Sequence, residues 1–403
     1  MRGTQFGNLG MDRVSIRTKL WVVVAVLAIP ILVLMWVQFG ALQSSSNRAS
    51  EERAGVEFET AGLKLVHDLQ LHRDHEMRVL RGNTGTQASL DKSTADIDAD
   101  FETLRPMARE AGVGKELVTL QQEWQQFKGQ QRTSAVDSFG AHTDFINKRA
   151  MQVLLTGATR SHLFTDDELA TRSVIQALLA SLNMSEQIAQ GRSIGNLMMV
   201  DGAGREPSQS ERATMAKYLT ASDVYANELR FQMNLAISAK PELADQLQPL
   251  MSKQEQTLAN FSSFVNTNFV QATVLESTRA ESAYLLGTSA VEATNELLTA
   301  AATNLNAEFN DRTASATREM QVIGGVAVLG IAAALLLAFM ISRSISRPIS
   351  HLAEVADRIS LGELDVEIDV QGTNEVGHLA ESLRRMQASL RSAIERLRQR
   401  RAA

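Results

Sequence analysis

Two uncharged apolar stretches constrain this chain more than any other feature. Leu20 to Asn47 contains no ionisable residue, with an almost wholly apolar part from Leu20 to Val37, and Met320 to Ser342 is again free of charge and dense in Val, Ala, Leu and Ile. A spanning helix needs about 20 apolar residues, so each stretch reads as a membrane helix. Trp21 and Trp36 would lie about 22 Å apart along such a helix, one at each interface. Pro30 between them is expected only to kink the helix, because neighbouring groups can re-satisfy the freed carbonyl. The competing reading, a cleaved signal peptide with small residues at Ser44 and Ser46, fits less well, since the apolar core exceeds the roughly 7 to 15 residues usual for that class.

The basic flanks set the orientation. Arg2, Arg13, Arg17 and Lys19 outweigh Asp12 before the first span, and Arg343 and Arg347 follow the second. Positive residues stay on the cytoplasmic side, so both termini are expected there, with residues 41–319 outside a bacterial inner membrane. The expected organisation is a cytoplasmic segment 1–19, membrane helix 20–40, outer domain 41–319, membrane helix 320–342, a coiled-coil domain 343–397 and a basic tail 398–403.

Composition fixes the class of the outer segment. With six prolines and 5% aromatic residues, beside abundant Ala, Leu, Gln and Glu, the chain favours long helices over sheets, and an all-α fold is predicted. A net charge of −6 argues against nucleic-acid binding, and the absence of cysteine removes disulfides, thiol catalysis and Cys-ligated metals. No cofactor is implied. Helix breaks are predicted at Gly82 to Gly85, Pro106 to Gly114, Gly129 to Ser134, Thr156 to Thr165, Asp201 to Pro207 and Lys240 to Pro249. The first outer helix lacks a breaker from Leu42 to Arg81. A stripe of Leu275, Tyr284, Leu285, Val291, Leu297, Leu298 and Leu305 predicts a last outer helix continuous with the second span.

The outer segment carries a weak repeat. Leu69-Gln70-Leu71-His72-Arg73 precedes Gly82, and Ile188-Ala189-Gln190-Gly191-Arg192 precedes Gly202, the arginines being 119 positions apart. Two related helical modules are expected. Arg73 and Arg192, with His72, Ser193 and Asn196 as further donors and Arg78 nearby, are the candidate ligand site. Guanidinium groups match planar oxyanions bidentately and stay charged, so a small anion is the candidate ligand. The ordinary alternative is that each arginine pairs with an Asp or Glu inside the bundle. Asp68, His72 and Glu76 share a helical face, but no second ligand pair is evident for a metal, and a salt-bridging face is expected there.

After the second span the pattern becomes a coiled coil. Pro348 follows Arg347 at a helix start, where its missing donor costs nothing. Ile349, Leu352, Ala356 and Ile359 form a short heptad seam that Gly362 ends. A linker, Leu361 to Thr373, then alternates Leu364, Val366 and Ile368 with acidic residues. Asn374 can cap the next helix and Glu375 sits at its positive end. That helix carries Val376, Leu379, Leu383, Met386, Leu390, Ala393 and Leu397. About twelve linker residues are far more than the two to five of an antiparallel hairpin, so the two helices are expected to be parallel. Two narrow seams close a four-helix core only when a second copy joins them, which predicts a homodimer.

Pro348, the Gly362-Glu363-Leu364 break, the alternation to Ile368 and Asn374-Glu375-Val376-Gly377-His378-Leu379 resemble the HAMP domain of chemoreceptors and sensor kinases, with Asn374 where the family usually has Asp. The resemblance implies a signal-relay role for Pro348, Gly362, Glu375, Gly377, Leu379 and Leu383. The outer segment more loosely resembles helical NIT-like sensor domains, some of which bind nitrate or nitrite; here Asp74 stands where a Gln-x-His-Arg-Gly pattern has glycine. No Walker loop, G-x-S-x-G, H-E-x-x-H or phospho-acceptor histidine context occurs in the sequence, so no enzyme activity is expected. His351 and His378 are expected to be exposed. Arg391, Arg396, Arg398, Arg400 and Arg401 make a basic helix end, suited to water or to an acidic partner. The reading is a transmembrane signal transducer whose output goes to a separate cytoplasmic protein, a kinase, phosphatase or chemotaxis component. Its alternatives are a truncated chemoreceptor without its signalling hairpin and a ligand-free structural coiled coil.

Overall fold

The computed structural model describes residues 16–402. Arg2 and Arg13, and the side chains of Arg17, Arg398, Arg400 and Arg401, lie outside the described residues. The chain divides into two compact units, residues 44–316 and a second made of residues 1–43 and 317–403. Among the described residues there is no strand, only an isolated bridge between Ala203 and Leu275.

The first of these units, called the outer unit after the topology expected from the sequence, is two up-and-down four-helix bundles. The first is built from α1 (Ile16–Leu80), α2 (Gln87–Glu110), α3 (Gly114–Lys128) and the pair α4 (Ala135–Phe145) and α5 (Met151–Arg160), which a π-helical turn at Ile146–Ala150 joins end to end. Successive helices run antiparallel: Lys64 bonds Asp100 while the later His75 meets the earlier Ser93, and Arg149 pairs with Glu123 while Arg160 pairs with Glu116. The second bundle contains α6 (Leu169–Asp201), α7 (Gln209–Ala239), α8 (Ala244–Val265) and α9 (Ala280–Ile341). Caps start these helices where the sequence offers them. Ser208 accepts from the Glu211 amide at 3.2 Å and its own amide donates back to Glu211 at 2.8 Å, which satisfies two orphan donors of α7.

The bundles meet along α1 and α6, which run parallel. Contacts join residues a nearly constant distance apart in sequence, 117 for Arg48 with Thr165, 116 for Gln70 with Glu186 and 120 for Arg81 with Asp201. This offset is the 119-residue repeat seen in space. Burial on all sides follows for α6, where 23 of 33 residues are buried. One continuous apolar cluster, from Val56 and Phe58 through Trp124 and Ile188 to Phe261 and Phe309, fills both bundles.

Several predicted breaks shift. Pro106 lies inside α2 and Pro249 inside α8; the carbonyls four residues earlier, on Glu102 and Asp245, belong to exposed residues, so water can take up each bond the proline forfeits. A further break at residues 271–279, not predicted, separates α8 from α9, so Leu275 belongs to a turn rather than to the last helix. Leu285 is exposed, and α9 instead buries Ala283, Val291, Leu297, Leu298, Ala301, Leu305 and Phe309.

In the second unit, two helices are long and apolar enough to cross a membrane, and 0% and 11% of their apolar windows are buried. That exposure separates them from core helices of a soluble protein. A π-helical turn at Ser342–Ser346 ends α9, and α10 (Arg347–Ser360) carries Pro348 in its first turn. The wider turn spares the contact a proline would make with the preceding carbonyl. α11 (Glu375–Ala402) follows the connector.

One core residue of the outer unit is anomalous. Glu59 is fully buried, neither carboxylate oxygen has a hydrogen bond of good geometry, and burial pushes its carboxyl well above the usual range, with only the nearby Ala158 amide opposing it. The folded chain keeps this proton where the unfolded chain has lost it, so stability falls as pH rises above about 4.3 toward the folded value. Glu59→Met should therefore raise the thermal midpoint near neutral pH by the equivalent of about 1–3 kcal/mol, and by less in acid. A midpoint lowered at every pH would show that the carboxyl makes a bond absent from this structure.

Candidate functional site

The polar centre of the outer unit lies on the α1–α6 seam. Arg73 is wholly buried; its Nη1 donates to Glu186 at 2.7 Å and to Thr143 at 3.1 Å. Glu186 also accepts from Gln70 at 3.0 Å and from Gln190 at 2.8 Å. Arg192 repeats the arrangement in reverse: its Nη2 lies 2.5 Å from Asp74, its Nη1 donates to Thr288 at 2.8 Å, and the Ser193 hydroxyl bonds Asp74. The pairs are crossed, each module's arginine meeting the other module's carboxylate. Asn196 donates to the Ala280 carbonyl at 3.1 Å. The Tyr284 ring carries Arg78 on it at 4.1 Å and Arg192 at 5.0 Å, and Arg78 pairs with Glu281 at 3.1 Å.

The two arginines do not form an open fork. Each is closed onto a carboxylate, which makes the buried quartet Arg73, Glu186, Arg192 and Asp74 formally neutral. Some capacity is left over: Arg73 Nε, Arg192 Nε and Nη2, and Asp74 Oδ2 have no hydrogen-bond partner, the Arg192–Asp74 contact being a close ion pair out of hydrogen-bonding alignment. Asp74, the departure from the family pattern, is thus the partner of Arg192. Glu186 was not legible in the sequence, since nothing in its periodicity marks a carboxylate that reaches across to a helix 113 positions away.

His72 is turned away from this group. Its Nδ1 lies 2.8 Å from His142 Nε2, and His142 Nδ1 lies 2.8 Å from the Ser138 carbonyl. The carbonyl can only accept, so His142 donates from Nδ1 and accepts at Nε2 from His72. Burial, with Arg132 adding to it, holds His72 down to about 3, and burial with His72 beside it holds His142 well below its ordinary value. Both rings are neutral across the physiological range and pack edge-on against Trp124 and Phe127. Asp68 pairs with Lys64 at 2.7 Å, and Glu76 with Arg132 at 3.0 Å, the salt-bridging face expected there.

The residues expected to relay a signal are in the second unit. Leu352, Val355, Ile359, Ile368 and Ala380 form its core, with Val355 taking the place expected for Ala356. The connector runs antiparallel to α11: Gln387 donates to the carbonyls of Leu364 and Val366 at 3.0 and 2.7 Å, and Arg384 to those of Ile368 and Val370 at 3.3 and 2.6 Å. A connector that returns along α11 brings α10 and α11 parallel. Gly362 has φ +96, a left-handed value that suits glycine, and a Cβ on Gly377 would run into the backbone of Gly372. Asn374 caps α11 by accepting from the Gly377 amide at 3.1 Å. Glu375 lies in the first turn of α11, Leu383 is half-buried against the core, and Leu379, Met386 and Leu390 are exposed, as are His351 and His378.

Residues 340–392 match the HAMP domain family. The chain contains a HAMP domain. It is also similar to a sensory transducer protein of Acetivibrio thermocellus (38% identical over 82 residues, 20% of this chain and 14% of the relative) and to methyl-accepting chemotaxis protein I of Escherichia coli (35% over 85 residues, 21% and 15%). A third similar protein is methyl-accepting chemotaxis protein TlpB of Bacillus subtilis, 40% identical over 73 residues, 18% of this chain and 10% of the relative. The HAMP-containing chain is therefore chemoreceptor-like, yet it spans only 10% to 15% of the length of these relatives. No solved structure matches.

The crossed pairs make a quantitative prediction. Arg73→Met should cost about 3–5 kcal/mol by leaving Glu186 buried and unpaired, whereas Arg73→Met with Glu186→Met should recover most of that loss. Chemical denaturation of the wild type and the two variants checks it; equal losses in the single and double variants would show that the pair is not coupled.

Proposed function

We propose that the chain is a transmembrane signal transducer that receives an extracytoplasmic stimulus on the two-bundle unit and passes it through the HAMP domain to a separate cytoplasmic signalling protein. The observation that carries this reading is the HAMP match beginning at residue 340, within a helix, α9, that is unbroken from Ala280 to Ile341. An uninterrupted helix can carry a small displacement along its length, and a HAMP core with two packings of similar energy would convert it into a change of state. Both termini would be cytoplasmic and residues 41–319 extracytoplasmic, in an inner membrane. The working unit would be a homodimer: Leu379, Met386 and Leu390 are 51%, 45% and 41% exposed in one chain, and a second copy would bury them.

The stimulus proposed is a small anion held by Arg73, Arg192, Ser193 and Asn196. Because each arginine already holds a carboxylate, the anion would bind by exchange, displacing Asp74 from Arg192 and so loosening the contact between the two modules. The Nε of Arg192, buried without a hydrogen-bond partner, supports this.

Oxidative crosslinking of Leu379→Cys in membranes tests both parts. The chain has no native cysteine, so the product reports this position alone. Inter-chain crosslinks are expected, at a rate that changes with sodium nitrate but not with sodium chloride of equal ionic strength. Asp74→Asn, which releases Arg192, should lower the half-maximal nitrate concentration about tenfold, equivalent to about 1.4 kcal/mol. A strictly single-chain product would remove the dimeric transducer; inter-chain crosslinks indifferent to nitrate would remove this anion alone.

A further inference from the structure

The end of the outer unit opposite the crossed arginines holds a second buried charge cluster. It surrounds a recess of about 240 Å³ lined by Ser45, Arg48, Glu52, Asp166, Glu168 and Arg312, among others. The side chains of Glu52 and Asp166 are 3% and 2% exposed. They come from different segments, Glu52 from α1 and Asp166 from the loop before α6, and line the same recess. Arg312 of α9 faces both, its Nη1 lying 2.7 Å from Asp166 and 4.0 Å from Glu52.

Every segment around the pair contributes charge. α1 supplies Arg48, 3.1 Å from Glu52. The loop supplies Asp167 and Glu168, the latter paired with Arg312. α6 supplies Arg172, which donates to the Asp166 carbonyl at 3.1 Å. α9 supplies Glu308, 3.3 Å from Arg312, and Lys240 from the end of α7 bridges Glu168 and Glu308 at 2.7 and 2.5 Å. Two adjacent carboxyl groups with so little water cannot both ionise cheaply, yet full protonation would leave Arg312 and Arg48 without their counter-charge. A proton on Glu52, the carboxyl farther from Arg312, satisfies both constraints.

We propose that Glu52, set beside Asp166 in this recess, carries an exchangeable proton whose loss or uptake resets the hold of Arg312 on α9, so that extracytoplasmic acidity is an input separate from any ligand on the α1–α6 seam. Burial, with Asp166 alongside, raises the Glu52 carboxyl from 4.5 to about 7. With a raised folded value, the protonated clamp is intact in acid and is lost as pH rises through neutrality. The only polar route needed is the recess, which already opens on Arg48 and Glu168. Calling the proton an input rests on the signalling reading above; the clamp itself is a property of the outer unit.

The full chain in lipid nanodiscs provides the test. Nitroxide labels on Ser50→Cys and Ser315→Cys, both exposed, report the separation of α1 and α9, and the infrared C=O stretch of protonated carboxyl groups reports the proton. Measured from about two pH units below neutral to two above, the distance distribution is expected to shift between two populations with a midpoint near 7, and a carboxyl band is expected to vanish over the same range. Glu52→Gln should abolish both changes, and Asp166→Asn, with a helical circular-dichroism spectrum as the check of folding, should move the midpoint by at least one unit, a tenfold change in proton affinity. A distribution that ignores pH, or one whose pH response survives in Glu52→Gln, overturns the proposal. Neither readout depends on HAMP output, so failure of the transducer reading would leave this result standing, and the reverse holds equally.

Discussion

The outer unit depends on the register between α1 and α6. Apolar contact between two parallel helices is non-directional and sets their axial register only through shape. Buried charge is not tolerant: moving α1 by one turn relative to α6 would strip Arg73 of Glu186 and Arg192 of Asp74 together. Since an unpaired buried ion costs several kcal/mol while a satisfied pair adds little net stability, the crossed arrangement acts more as a register device than as a source of stability. The same property makes the seam suited to switching, because a small ligand that competes for one arginine acts on the element that holds both modules in place.

α1 enters both polar clusters of this unit, through Arg73 and Asp74 in one and through Arg48 and Glu52 in the other. α9 does the same through Thr288 and Arg312. Between the clusters the interior is close-packed and apolar, from Phe58 and Leu65 to Leu297 and Phe309. A dense core transmits strain rather than absorbing it, so an event at one cluster is felt at the other through helices that both contain. Two inputs converging on the same pair of helices would then add or oppose without any direct contact between them.

The reading of the sequence reached whatever is local. Uncharged length, the glycine at Gly362, the cap at Asn374 and the arginine repeat are statements about neighbours in the chain, and the structure has helices, a left-handed turn, a capping bond and a parallel helix pair at those places. What was missed is tertiary. Glu186 and Asp166 are unremarkable acids until α1 packs beside α6 and α9 beside the loop, and only then do they become ion-pair partners of Arg73 and Arg312. Pro106 and Pro249 misled for a related reason: a proline breaks a helix when the freed carbonyl is buried, and exposure is not visible in one dimension. His72 was grouped with the arginines because it adjoins Arg73, yet adjacent residues on a helix diverge by about 100°, which aims it at α4 instead.

The HAMP segment shows the opposite balance, with its fold legible and its state not contained in one chain. Within the chain, the connector covers one side of α10 and α11, so Leu352, Val355 and Ile359 are buried while Leu379, Met386 and Leu390 are not. Leaving three large side chains 41% to 51% exposed along a single stripe is unfavourable at about 25 cal/mol per Å² of apolar surface, and no loop of this chain covers them among the described residues. The connector cannot rearrange to do so, because its carbonyls are already committed to Arg384 and Gln387 on the side of α11 it occupies. In the homodimer proposed above, a second copy would close this surface with the heptad spacing already matched. Closure by a twin would also let so short a domain hold two states, with the contacts within each chain fixed by the connector and only the contacts between copies free to change.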